Sequence, residues 1–160
     1  MNFQETLFPG YTIGEDAYQN IPAVCAPFGK KAAIIGGKRA LAAAEEKIRR
    51  AVAGSAVEIT GTYWYGGEAS VENIAKLQPQ VAQADMLFAV GGGKAIDTVK
   101  VLAHMTHRPF FTFPTIASTC AGCTSLGICT IRTAACGSIP SPKSRPATFS
   151  STRRLSPTPR

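Results

Sequence analysis

Asp85 to Val90 (DMLFAV) is a short, almost wholly apolar run that passes without a break into Gly91-Gly92-Gly93-Lys94 and then into Ala95 to Met105 (AIDTVKVLAHM), a helix-forming segment. An apolar run of this length marks a strand buried on both faces, which in a water-soluble chain means a parallel sheet covered by helices. The same succession surrounds it. Lys31 to Gly37 (KAAIIGG) reads as a buried strand closed by two glycines. Lys38 to Ala53 reads as a helix, with Leu41, Ala44, Ile48, Ala51 and Val52 on one stripe and Gly54-Ser55 as its stop. Val57 to Tyr63 alternates as a further strand, and Glu72 to Ala84 is helical in pattern, with Pro79 placed to interrupt it. Pro109 to Phe113 is a fourth strand running into Pro114-Thr115. This alternation predicts an α/β fold with a parallel sheet between flanking helices, and ligands then sit at the carboxyl ends of the strands.

The glycine triplet stands at such an end of what reads as a Rossmann-like sheet. Without a Cβ the backbone can approach a pyrophosphate closely, the following helix N-terminus offers free N–H groups, and Lys94 adds a full positive charge. The triplet matches neither the G-x-G-x-x-G fingerprint nor a P-loop. A tight turn of any α/β protein is the plainer reading; the strand-to-helix setting and the adjacent lysine favour phosphate binding.

Composition separates two parts of the chain. The net charge is +7, yet six of the 17 basic residues (Arg132, Lys143, Arg145, Arg153, Arg154, Arg160) and none of the ten acids fall in residues 129–160, so residues 1–128 carry only +1. Five of the eleven prolines also lie in 129–160, among Ser and Thr, with little apolar surface to offset ordering entropy. The expectation is a nucleotide-binding α/β domain over 1–128 and a disordered basic tail over 129–160. No apolar run reaches the roughly 18 residues of a membrane span, and the N-terminus has no signal-peptide pattern, so a cytoplasmic protein without membrane contact is expected. The five cysteines (Cys25, Cys120, Cys123, Cys129, Cys136) then argue against a disulfide framework. Cys120 and Cys123 form a C-x-x-C pair, but the gaps of five and six residues to Cys129 and Cys136 do not make matched zinc knuckles. His104 and His107 sit at a helix end, where a cation suits the dipole.

Gly91 to Lys100 (GGGKAIDTVK) resembles the GGGKxxDxxK signature of the glycerol dehydrogenase branch of the iron-containing alcohol dehydrogenase superfamily, and Pro114 to Thr119 (PTIAST), twenty residues after Lys94, resembles a second segment of that branch. The resemblance runs from about residue 5 to 128. It implies an oxidoreductase that transfers hydride between NAD or NADP and a small alcohol or carbonyl compound, with zinc or iron held by an Asp and two His of an all-helical second domain. It places Gly91, Gly92, Gly93, Lys94 and Asp97 along the dinucleotide phosphates and the nicotinamide-side ribose, and Thr115, Ser118, Thr124 and Leu126 along the remainder of the cleft. It assigns no catalytic residue or metal ligand within this chain. Lys100 reads as structural, and Asp97 has a plainer reading as a first-turn acid that stabilises its helix. The resemblance also implies a homo-oligomer for a protein of full length.

The chain departs from the pattern twice. Where the branch ends its first strand in Gly-Asp, the carboxylate that takes the adenosine ribose hydroxyls is replaced by Gly37, followed by Lys38 and Arg39. That weakens the preference for NAD over NADP, and the two nearby cations could tolerate a 2′-phosphate. Cys120 stands where the branch has an Asp that contacts the polyol, and a thiol cannot accept two hydroxyl hydrogen bonds as a carboxylate does, which points to a small alcohol other than glycerol. Glycerol-1-phosphate dehydrogenases and dehydroquinate-synthase-like proteins share the glycine triplet, but the PTIAST segment suits the glycerol dehydrogenase branch better. A nucleotide-binding module whose basic tail contacts nucleic acid is the competitor from another class; against it, the tail holds one aromatic, Phe149, and no patterned basic face.

The tail also carries a trace of another reading frame. If the first two bases of each codon are taken as the last two of the overlapping codon, Cys129 to Pro140 permit M-Y-H-P-D-G-S-L-R-E-Y-S, two strands about an Asp-Gly turn. Thr148 to Arg153 permit H-I-F-I-D-T and Leu155 to Pro159 permit I-I-A-N-A. Both resemble the family's next segments. A base lost near Ile128 would produce this tail, leaving a chain that binds a nucleotide at most, with an unpaired sheet edge. Resequencing the codons for Leu126 to Thr130 and several hundred bases beyond is expected to show that one added base restores Met-Tyr and opens a frame encoding a helical domain with two metal-ligand histidines. A frame that stands unchanged, with no such domain after it, would make the tail genuine.

Overall fold

The computed structural model describes residues 10–116, 120–122, 126–130, 136–140 and 147–150. In chain order the elements are β1 (Tyr11–Ile13), α1 (Ile21–Cys25), β2 (Lys31–Gly36), α2 (Lys38–Val52), β3 (Glu58–Trp64), α3 (Val71–Gln80), β4 (Met86–Gly91), α4 (Gly93–Thr106), β5 (Phe110–Pro114), β6 (Leu126–Thr130), β7 (Cys136–Pro140) and β8 (Ala147–Ser150). Six strands form one parallel sheet in the order β1-β8-β5-β4-β2-β3, and β6 pairs antiparallel with β7.

The period of two in the central strands divides the core. Met86, Phe88 and Val90 face the side covered by α1 and α2, where they meet Ile21, Ile48 and Phe113. Leu87 and Ala89 face the side covered by α3 and α4, where they meet Leu77, Ile96, Val99 and Leu102. All five of these β4 side chains are fully buried, which explains why the strand reads as a continuous apolar run. Each large one contributes about 1.5–3 kcal/mol by leaving water. Phe88 makes an edge-on contact with Phe111 and a tilted one with Phe113, at ring separations of 5.7 and 5.1 Å, and so ties β4 to β5 beneath the α2 layer.

Two element ends differ from expectation. The helix expected to reach Ala84 ends at Gln80, where the chain tightens and Ala82 N–H donates to the Pro79 carbonyl; Pro79 itself lies inside the last turn. Its start is set by Ser70, whose hydroxyl accepts from the Asn73 amide at 3.3 Å. α4 begins at Gly93, inside the glycine triplet, with Gly92 as its N-cap.

Of the segment 129–160, expected to lack regular structure, the described residues are 129–130, 136–140 and 147–150, and these lie in strands. The expected boundary near residue 128 falls inside β6, and β7 and β8 lie beyond it. β8 occupies the edge of β5 through Phe111–Ala147 and Thr112–Thr148 register pairs, and carries β1 on its other side. Among the described residues β5 thus has a strand on each side. The physical reason is that a strand edge offers backbone donors and acceptors, which any extended segment can satisfy whatever its side chains. Among the described residues no helix is long and apolar enough to cross a membrane.

At the opposite end of the sheet from the cleft described below, Asp85 anchors β2 to β4. One carboxylate oxygen accepts from the backbone amides of Lys30 and Lys31 at 2.8 and 2.9 Å, and those two donors hold its carboxyl below the usual range. Gly29, at φ +134, leaves room for it, since a Cβ there would lie 2.5 Å from the Asp85 Cβ. The lowered folded-state value means that this stabilisation is complete above the unfolded carboxylate pKa of about 3.9 and is lost as pH falls through the folded value. Asp85→Ala is expected to cost about 1 kcal/mol at neutral pH in chemical denaturation, with the gap to the parent chain closing below about pH 4; a gap that persists in acid would assign the loss to something other than the carboxylate.

Candidate functional site

From β2 the chain moves through α2 to β3 on one side, then returns through α3 to β4 on the other side of β2. The strand order therefore reverses between β2 and β4, and the helices that follow these two strands cover opposite faces. The loops diverge there and leave a crevice at the carboxyl ends of the strands. The crevice is a cleft of about 530 Å³ bordered by Gly37–Ala40 after β2, Trp64 and Tyr65 at the end of β3, Gly91–Ala95 after β4, and Thr115 and Ile116 after β5.

Two glycine turns meet at its floor. The Gly37 amide donates to the Val90 carbonyl at 3.3 Å, and a Cβ on Gly36 would come within 2.4 Å of that oxygen. Gly91 sits at φ +140, a conformation that side chains resist, and a Cβ there would lie 3.2 Å from Ala95 Cβ and 3.5 Å from Ala40 Cβ. The starts of α2 and α4 are thus packed side by side. Each helix has a glycine N-cap, no side-chain cap and no acid in its first turn. Their first amides to find an acceptor within the helix are Leu41, on Gly37, and Ile96, on Gly92. The amides ahead of them have no acceptor in their own helix, and both macrodipoles point their positive ends into the cleft. A cradle that a Cβ would fill, lined by backbone donors and by no carboxylate among the bordering residues, fits an anionic ligand such as a dinucleotide pyrophosphate.

The glycines Gly37, Gly91, Gly92 and Gly93, together with Lys94 and Thr115, border this cleft. Lys94 is exposed and donates to Glu68 across 2.5 Å; the hydrogen bond to that carboxylate raises its pKa. The Thr115 amide donates to the Gly91 carbonyl at 3.2 Å, which continues the β4–β5 ladder to the rim. Asp97 does not border the cleft. Its carboxylate lies 3.5 Å from the Lys100 ammonium, which is 1% exposed. Cys120 is exposed and not among the bordering residues, and Ser118 and Thr124 lie outside the described residues. Leu126 opens β6, paired in register with Pro140. Sequence reasoning missed Glu68, Trp64, Tyr65 and Ile116. A signal was present for one of them: Trp64 is the single tryptophan of the chain and closes an alternating strand just before a Gly-Gly pair.

Cys25, Cys120 and Cys129 are free thiols; burial pushes Cys25 up to about 12 and makes it inert at neutral pH. His104 stands in the last turn of α4, and His107 closes that helix in the left-handed conformation at φ +53.

The model of the iron-containing alcohol dehydrogenase family matches residues 9–149. The chain belongs to that family. Among curated relatives it is 34% identical over 125 residues to the glycerol dehydrogenase of Escherichia coli O6:H1, covering 75% of this chain and 33% of the relative. It is also 34% identical over 108 residues to the glycerol-1-phosphate dehydrogenase (NAD(P)+) of Methanoculleus marisnigri, covering 66% and 29%. Among solved structures it resembles a probable glycerol dehydrogenase from Sinorhizobium meliloti 1021, with a TM-score of 0.77 at 25% identity over 92% of this chain and 41% of that one. The chain spans about a third of the length of these curated relatives. The family implies a metal, and the described residues do not fit one: among them no group of three or more His, Cys, Asp or Glu side chains converges.

The two turns predict opposite sensitivities. Gly91→Ala forces an unfavourable φ between two packed helices and is expected to cost about 1–3 kcal/mol in denaturant unfolding. Gly37 sits at φ −76, ψ 147, and an added Cβ would meet nothing nearer than 3.6 Å, so the loss of a glycine N-cap in Gly37→Ala is offset by the stiffer unfolded chain, for a net change of about a few tenths of a kcal/mol. Equal losses would show that the floor of the cleft is not built by the Gly91 turn.

Proposed function

We propose that this chain supplies the nicotinamide-dinucleotide-binding part of a glycerol-dehydrogenase-type alcohol dehydrogenase acting on a small alcohol or carbonyl compound. The observation that carries the reading is the juxtaposition of two uncapped helix N-termini over glycine turns at the point where the strand order reverses. Gly91–Gly93 would hold the pyrophosphate through their backbone, with the Lys94 ammonium exchanging its contact to Glu68 for phosphate oxygen. The adenosine would extend toward Gly37 and Trp64, and the nicotinamide toward Thr115. When bound, the nicotinamide ring supplies the hydride chemistry. Ile116, whose tip would lie 2.7 Å from a Cβ on Gly92, lies against the turn. The exposed thiol of Cys120 stands where a polyol-binding acid is expected, which supports a substrate with fewer hydroxyls than glycerol. Turnover is assigned to the whole protein, because the described residues offer no donor set for the metal. The cytoplasm is the compartment proposed for it.

Trp64 borders the cleft and is the single tryptophan, so its emission reports occupancy. Titration with ADP-ribose is expected to quench it saturably, and Lys94→Ala to weaken that binding about tenfold through loss of one charge-assisted contact. No saturable change with ADP-ribose would sink the dinucleotide reading.

A further inference from the structure

The end of the cleft formed by β2, β3 and the start of α2 carries two cations and, among the bordering residues, no carboxylate. Lys38 and Arg39 are exposed and border the cleft. The Lys38 ammonium lies 4.7 Å from the centre of the Trp64 ring, which keeps it at the rim by a cation–π contact. Among the described residues neither cation has an ion pair, whereas Lys94 is neutralised by Glu68, and Arg49 and Arg50 further along α2 are paired with Glu45 and Glu46. The carboxylates of α2 are thus engaged a turn or more away from its start.

The absence of a carboxylate is not imposed by the backbone. Gly37 adopts an extended conformation open to any residue, and a Cβ there would make an ordinary 3.6 Å contact with the Tyr65 ring. A carboxylate at that position would fit, cap α2 and accept from a ribose diol. Lysine and arginine can only donate. A neutral diol therefore finds no charged acceptor at this end, while a dianionic phosphomonoester finds two cations and the unmatched amides of α2.

We infer that Lys38 and Arg39 select a dinucleotide phosphorylated on the adenosine ribose, so that the cleft takes NADP(H) in preference to NAD(H). The inference rests on the dinucleotide reading above and adds the residues that set its cofactor choice. The test compares 2′,5′-ADP with 5′-AMP by Trp64 emission on the 160-residue chain. The bisphosphate is expected to bind at least about tenfold more tightly. The Lys38→Ala/Arg39→Ala double variant should lower its affinity to that of 5′-AMP, and Gly37→Asp should reverse the order. These positions lie outside the core clusters, and a far-ultraviolet melt of each variant separates loss of selectivity from loss of fold. Equal binding of the two nucleotides by the parent chain, or a preference that survives in the double variant, would overturn this inference and leave the dinucleotide reading intact. Binding of neither nucleotide would overturn both.

Discussion

The close backbone approach between the end of β2 and the end of β4 is the constraint on which the remainder of the site depends. Gly37 N–H meets the Val90 carbonyl, and Gly36 and Gly91 leave no volume between the strand ends for a side chain. With any bulk there, α2 and α4 could not start next to each other, and their unmatched amides would point into different regions of solvent. The contact is local, but what holds it is not. Phe88, Phe111 and Phe113 lock β4 and β5 under α1 and α2, while α3 and α4 seal the opposite face. A turn that only glycine accommodates at residue 91 is kept in place by a core that buries every side chain of β4.

Charge in the cleft follows from the same geometry. Two helix starts with glycine caps and no acid in the first turn create a region of positive potential, and Lys38 and Arg39 reinforce it. Glu68 compensates Lys94 across an exposed contact, which solvent screening makes easy to exchange for a ligand's phosphate. At the other end of the sheet, the Asp85 carboxylate performs the converse task, gathering the amides of Lys30 and Lys31 that begin β2. Donors are thus satisfied by protein at the amino end of the sheet and left open at its carboxyl end, the asymmetry that lets one end be structural and the other bind.

Much of the central fold was legible in the residues. The apolar runs at Lys31–Gly36, Met86–Gly91 and Phe110–Pro114 became adjacent strands, because only a sheet covered on both faces accommodates such runs. The helical stripe of α2 buries Ala44, Ile48 and Val52 as its spacing indicated. The early end of α3 was not settled by the visible position of Pro79, since it depended on the turn that follows. Strands β7 and β8 were not legible, since their pairing draws on backbone edges supplied by β6 and β5 and not on a hydrophobic pattern of their own.

The sequence by itself determined the type of site: glycines at a strand-to-helix junction, a lysine next to them, and no carboxylate after the first central strand. Only the tertiary structure decided which residues share it. Strand order brought Gly37–Arg39, Trp64 and Gly91–Lys94 to one crevice although up to 57 positions separate Gly37 from Lys94, and it left Asp97 facing Lys100 and not the cleft. The reason is that spacing along a chain specifies faces of a strand or helix, whereas the neighbour across a sheet is set by the direction in which each crossover returns.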